Sequence, residues 1–107
     1  MSILDKLNIT PPVAMTAAEI KSFELLMSAA RNDTGQSRRV ADFLLAWWNA
    51  TECGAWDPTS LWSLDVELGD AIVTLLGYIN RSRCYPDTLG YGPEFKELVR
   101  IWRSKSE

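Results

Sequence analysis

Val40-Ala41-Asp42-Phe43-Leu44-Leu45-Ala46-Trp47-Trp48 decides the fold class. Val40, Phe43, Leu44 and Trp47 follow the i, i+3, i+4, i+7 spacing that lines one face of an α-helix. Leu45 and Trp48 fall off that face, and a helix apolar on more than one side is either central in its own core or covered by a partner. No stretch of the chain alternates with period two over the length of a strand.

The same period continues outward from this segment. Upstream, Ser37 reads as the N-cap, with Asp42 in the early turns. Asn32-Asp33-Thr34-Gly35 is a cluster of turn formers that ends a preceding helix. That helix opens on Thr16-Ala17-Ala18-Glu19, a capping box, and carries Ile20, Phe23, Met27 and Ala30 at helical spacing with Leu26 alongside. Downstream, Asn49 to Gly54 closes the central helix. In Trp56-Asp57-Pro58, aspartate caps and proline takes the first helical position of a short turn, Pro58 to Ser63, carrying Leu61 and Trp62. Trp56 is placed to staple onto it.

Ser63 or Asp65 opens a long helix that ends near Arg83. Leu68, Ile72, Leu75 and Ile79 form its main stripe, broadened by Val66, Val73 and Leu76. Gly69 and Gly77 weaken its interior, and close approach of another helix is the expected return. Residues 84–92, with Tyr85, Pro86, Gly90, Tyr91 and Gly92, read as a packed connector. Gly92-Pro93-Glu94 starts a last helix with Phe95, Leu98, Val99 and Trp102 on its stripe and Arg100, Arg103 and Lys105 towards its C-terminal end. The expected fold is all-α, a compact bundle of four main helices plus one short helical turn. It comprises an N-terminal arm 1–15, a single helical domain 16–104 and a tail 105–107. Within the arm, Ile3, Leu4 and Leu7 read as one apolar turn before Pro11-Pro12 forces an extended exit.

Composition narrows the chemistry. The chain has 107 residues, enough for one core, with 14 acids against 11 bases, a net charge of −3, five tryptophans and no histidine. Without histidine the commonest general base and metal ligand are missing. No phosphate-cradling glycine loop, zinc-protease helix or calcium loop is present. Cys53 and Cys84 are too few and too far apart for a disulfide framework or a zinc site, and read as free thiols. Glu67 and Asp70 read as a solvated helix face. The expectation is therefore no catalytic residue, no metal, no cofactor and no enzymatic activity. With neither a charged leader before an apolar run nor a membrane-spanning stretch, a cytoplasmic location is expected.

Recognition by surface remains. Tryptophan and tyrosine dominate interface hot spots, and Trp48, Trp56, Tyr85 and Tyr91 are the partner-binding candidates. Trp47, Trp62 and Trp102 sit where a helical core takes them. Ser37, Arg38 and Arg39, at a helix N-terminus, are the anion or phosphate candidates. The two-faced central helix and the Pro-Pro arm point to a homodimer.

The strings Asp33-Thr34-Gly35-Gln36-Ser37-Arg38-Arg39, running on through Val40 to Ala50, and Tyr85-Pro86-Asp87-Thr88-Leu89-Gly90-Tyr91-Gly92 resemble a family of small proteobacterial proteins carried on plasmids, phages and integrative elements. Leu61-Trp62, Asp65, Phe95, Leu98-Val99-Arg100 and Trp102-Arg103 extend the resemblance over about residues 22–103. It implies a genomic setting and no mechanism. The expected function is a non-enzymatic protein-interaction module of a mobile genetic element, as an inhibitor of a host defence complex of the CRISPR–Cas type. Its acidity suits a cationic nucleic-acid channel. The alternative is a nucleic-acid-associated regulator or transfer accessory factor using Arg38 and Arg39. The net negative charge weighs against broad phosphate binding.

Overall fold

The structure is a computed structural model, and it describes residues 13–103. Ile3, Leu4 and Leu7, the Pro-Pro exit and the tail 105–107 lie outside the described residues. Among the described residues four α-helices follow in order: α1 (Ala17–Ala30), α2 (Gly35–Cys53), α3 (Val66–Ser82) and α4 (Gly92–Trp102). A 3-10 turn, Pro58–Ser63, joins α2 to α3, and a second, Pro86–Leu89, lies in the connector before α4. The all-α expectation holds, and no strand occurs among the described residues.

Local capping explains where the helices begin. Thr16 Oγ1 accepts from the Glu19 amide at 3.1 Å and Glu19 Oε1 from the Thr16 amide at 2.9 Å, the complete capping box. At α2 the cap is Thr34, not Ser37: Thr34 Oγ1 accepts from the Ser37 amide at 3.0 Å. Ser37 is therefore three residues inside the cap, buried, with its hydroxyl 2.8 Å from that of Thr34. Asp57 caps the first 3-10 turn through the Thr59 amide, an interaction that lowers its carboxyl pKa. Asp65 precedes α3 but caps nothing with its side chain, which instead accepts from Gln36 at 3.2 Å.

The core runs through all four helices. Phe23, Leu26, Met27 and Ala30 of α1 meet Val40, Phe43, Leu44 and Leu45 of α2, Ala71, Ile72, Leu75 and Tyr78 of α3, and Phe95 and Leu98 of α4. Leu45 is fully buried, so the second apolar side of α2 is covered within the chain, where α1 and α4 both pack on it. The two-faced helix is central, and no partner is needed to cover it. Ile20 departs from the stripe, 42% exposed, and the neighbouring Glu19 turns inward in its place.

Helix α3 differs most from expectation. Tyr78 is fully buried and donates its hydroxyl to the Val13 carbonyl at 2.7 Å, while Val66 and Val73 are 78% and 56% exposed. The stripe is therefore centred on Ile72, Leu75 and Tyr78, and the two valines face outward. Among the described residues, a side chain added at Gly69 meets Leu61 Cδ2 at 4.0 Å, and one added at Gly77 meets nothing within 4 Å. Neither glycine admits another helix among the described residues, although each costs up to about 1 kcal/mol relative to alanine.

One ion pair ties the start of α1 to the end of α3. Arg81 donates two parallel hydrogen bonds to Glu19, at 2.9 and 2.8 Å. The guanidinium first, and the Thr16 amide second, bring the Glu19 carboxyl from 4.5 down to about 2. Because folding lowers this pKa, the stabilisation is complete above about pH 4.5 and is lost as pH falls towards 2. Acid titrations followed by circular dichroism should show this, and Glu19→Gln should flatten the dependence in that window. An unchanged acid profile in the variant would assign acid sensitivity elsewhere.

Candidate protein-interaction surface

Helix α2 breaks at Asn49, whose backbone (φ −164°, ψ 81°) is extended rather than helical. Its side-chain oxygen accepts from the Glu52 amide at 3.2 Å and so restarts one helical turn, ending at Cys53. Gly54, at φ +100°, then sends the chain back along α2, where Trp56 meets the Phe43 ring edge-on at 5.0 Å. This break opens a cleft of about 520 Å³ between the end of α2 and the 84–92 connector.

The connector is held on both sides of Tyr85. Trp47 Nε1 donates to the Cys84 carbonyl at 3.0 Å, and Pro86 is buried at the head of the second 3-10 turn. Thr88 donates back to the Tyr85 carbonyl, and Gly90, at φ +89°, closes the turn. Tyr85 itself remains 65% exposed. Trp48, half-buried with its ring 6.3 Å from Phe95, lines the same cleft with Asn49, Thr51, Asp87 and Thr88. Two sequence candidates 37 positions apart, Trp48 and Tyr85, are thus brought together on a preformed cleft with one acidic residue, Asp87, in its wall.

The other candidates lie elsewhere. Tyr91 packs its ring 4.6 Å from Phe23 and belongs to the core margin. Trp56 is half-buried in the wall of an apolar groove of about 300 Å³ between α2 and α3, and its buried indole N–H has no hydrogen-bond partner among the described residues. Trp62, assigned to the core by its place in the first turn, is 85% exposed. The short 3-10 turn buries none of its residues, so Trp62 is the aromatic that sequence reasoning missed. Trp47 and Trp102 do pack, and Trp102 Nε1 donates to the Ala30 carbonyl at 2.7 Å. Arg38 is exposed, Arg39 half-buried, and the Ser37 hydroxyl is engaged internally.

Cys53 is buried, and that burial pushes its thiol pKa up despite nearby Arg103. It packs as a small hydrophobe while its carbonyl accepts from Arg103 Nε at 2.9 Å. Among the described residues no three His, Cys, Asp or Glu side chains are grouped to hold a metal ion. No helix among them is long and apolar enough to cross a membrane.

The profile of a family of unknown function, DUF7673, matches residues 20–103. The chain belongs to this family. The match takes in α1 from residue 20 and the whole of α2, α3 and α4, so the cleft and the exposed side of α3 both lie within the DUF7673 region. No curated protein and no solved structure matches the chain.

Proposed function

We propose that this DUF7673 member is a non-enzymatic protein-interaction module whose contact site is the Trp48–Tyr85 cleft. The carrying observation is Tyr85, 65% exposed on a turn anchored at Cys84 and Pro86, beside Trp48. An aromatic carried on an anchored backbone loses little main-chain freedom on contact, which suits an interface anchor. Asp87 at the cleft and the net charge of −3 favour a partner with cationic character. The sequence resemblance supports a mobile-element setting, where inhibition of a host defence complex of the CRISPR–Cas type fits a small acidic binder. Under this reading the cytoplasm is its place of action.

Capture from host extract with the wild type and Tyr85→Ala is the test. A hot-spot truncation of at least about 2 kcal/mol lowers affinity about thirtyfold, while the exposed position leaves the melting temperature unchanged. Equal capture by both proteins would remove the cleft from the interface. Retention of nucleic acid alone, weakening steeply along a salt series, would favour the regulator reading through Arg38 and Arg39.

A further inference from the structure

The groove between α2 and α3 is apolar along its length. Phe43, Ala46, Trp47 and Ala50 follow the i, i+3, i+4, i+7 spacing on α2, a length of about 10 Å, and Leu76 and Ile79 face them from α3. Among the described residues its walls carry no charged side chain. Trp56, in the same wall, holds a buried indole N–H that meets no acceptor among those residues. A donor buried in that way is destabilising until an acceptor reaches it. The groove therefore suits an uncharged, apolar occupant that brings a carbonyl oxygen.

Val13, the first described residue, stands close to one end of this groove. Its carbonyl accepts from the Tyr78 hydroxyl at 2.7 Å, and Cys84 Sγ lies 4.0 Å from the same hydroxyl. The Cys84 carbonyl in turn accepts from Nε1 of Trp47, a groove wall, at 3.0 Å. Twelve residues precede Val13, and Ile3, Leu4, Leu7 and Ile9 are apolar while Asp5 and Lys6 cancel in charge. From Leu7 to Val13 a chain spans up to about 20 Å when extended, which exceeds the length of the α2 wall.

We infer that residues 3–9 of the same chain occupy this groove, with one of their backbone carbonyls accepting from Trp56 Nε1. Their apolar side chains then cover Phe43, Trp47, Leu76 and Ile79, and the Trp56 donor acquires its acceptor. Attachment through Val13 holds the segment at an effective concentration of about a millimolar beside the groove, which favours it over a separate molecule. An uncharged wall also selects against the cationic partner proposed for the cleft. Trp48 and Tyr85 line that neighbouring cleft and not this groove, so the inference stands apart from the cleft reading.

Nuclear magnetic resonance of the nitrogen-15-labelled full chain tests it through the five indole N–H signals, that of Trp56 identified by its absence from Trp56→Phe. In the double variant Leu4→Asp, Leu7→Asp the Trp56 indole proton should exchange with solvent about tenfold faster than in the wild type. The Trp102 indole, bonded to Ala30, should be unaffected. A second measurement leaves the apolar positions intact: a nitroxide on Asp5→Cys, with Cys53→Ala and Cys84→Ala. It should broaden the Ala50 and Ala55 amides and the Trp56 indole, and spare Asp33 at the far end of α2. An unchanged Trp56 indole in the double variant would overturn the inference, as would unbroadened signals at Ala50 and Ala55. Broadening carried from nitroxide-bearing chains to separately nitrogen-labelled chains in a mixture would place the segment on a second copy and overturn it equally.

Discussion

Phe95→Ala should lower the unfolding free energy by about 3–5 kcal/mol, and the melting temperature by roughly 15–30 °C for a domain of this size. Phe95 is fully buried at the point where three helices meet. Its ring stacks with Phe23 at 6.2 Å, takes the edge of Trp47 at 6.1 Å and lies 6.3 Å from Trp48. Removing it takes away hydrophobic burial and leaves a cavity between rigid aromatic walls that cannot collapse. Since domains are stable by only about 5–15 kcal/mol, this is a large share of the total stability. Thermal and denaturant melts read the effect, and Phe95→Leu, which keeps most of the volume, should retain most of the stability. A loss below about 1 kcal/mol for the alanine variant would contradict the packing described.

Gly54→Ala comes second, at about 1–3 kcal/mol, for a different reason. At φ +100° and ψ 159°, Gly54 occupies backbone space that side-chain-bearing residues avoid. Nothing lies within 4 Å of an added Cβ, so the cost is wholly conformational. The glycine turns the chain back after α2, which carries Trp56 onto Phe43 and brings the Cys53 carbonyl to Arg103. Gly35→Ala is the natural comparison. It also has open space, at the first position of α2, without positive φ, and should be neutral or slightly stabilising. Equal effects at the two glycines would mean that the reversal does not depend on Gly54.

Features governed by a few neighbouring residues were legible in the sequence. The Thr16–Glu19 box, the Pro58 turn and the stripes of α2 and α4 need only local spacing, and they form as expected. On α3 the apolar positions wrap so far around that spacing alone cannot say which side faces in. Val66 and Val73 were placed inward, while the inward side is taken by Ala71 and Tyr78, the latter through its hydroxyl bond to Val13. Trp62 was misplaced because a 3-10 turn of six residues does not follow the α-helical period. Ser37 yielded its cap to Thr34, since both residue types cap well and only the geometry of the turn decides between them. In the candidate site, residue type singled out Trp48 and Tyr85 separately. Their meeting depends on the break at Asn49 and on Trp47 holding Cys84 across 37 positions, and the Glu19–Arg81 pair across 62 positions is equally non-local.

The most direct measurement places a photo-crosslinking phenylalanine at position 85 of the full chain and, for comparison, at the exposed Lys96 on α4. Both are irradiated in host cells. A protein adduct of defined mass from position 85, absent from position 96 and lost when Trp48→Ala is combined with it, is the predicted result. Position 85 yielding no protein adduct, or the same adducts as position 96, would contradict a protein-binding cleft at Trp48 and Tyr85.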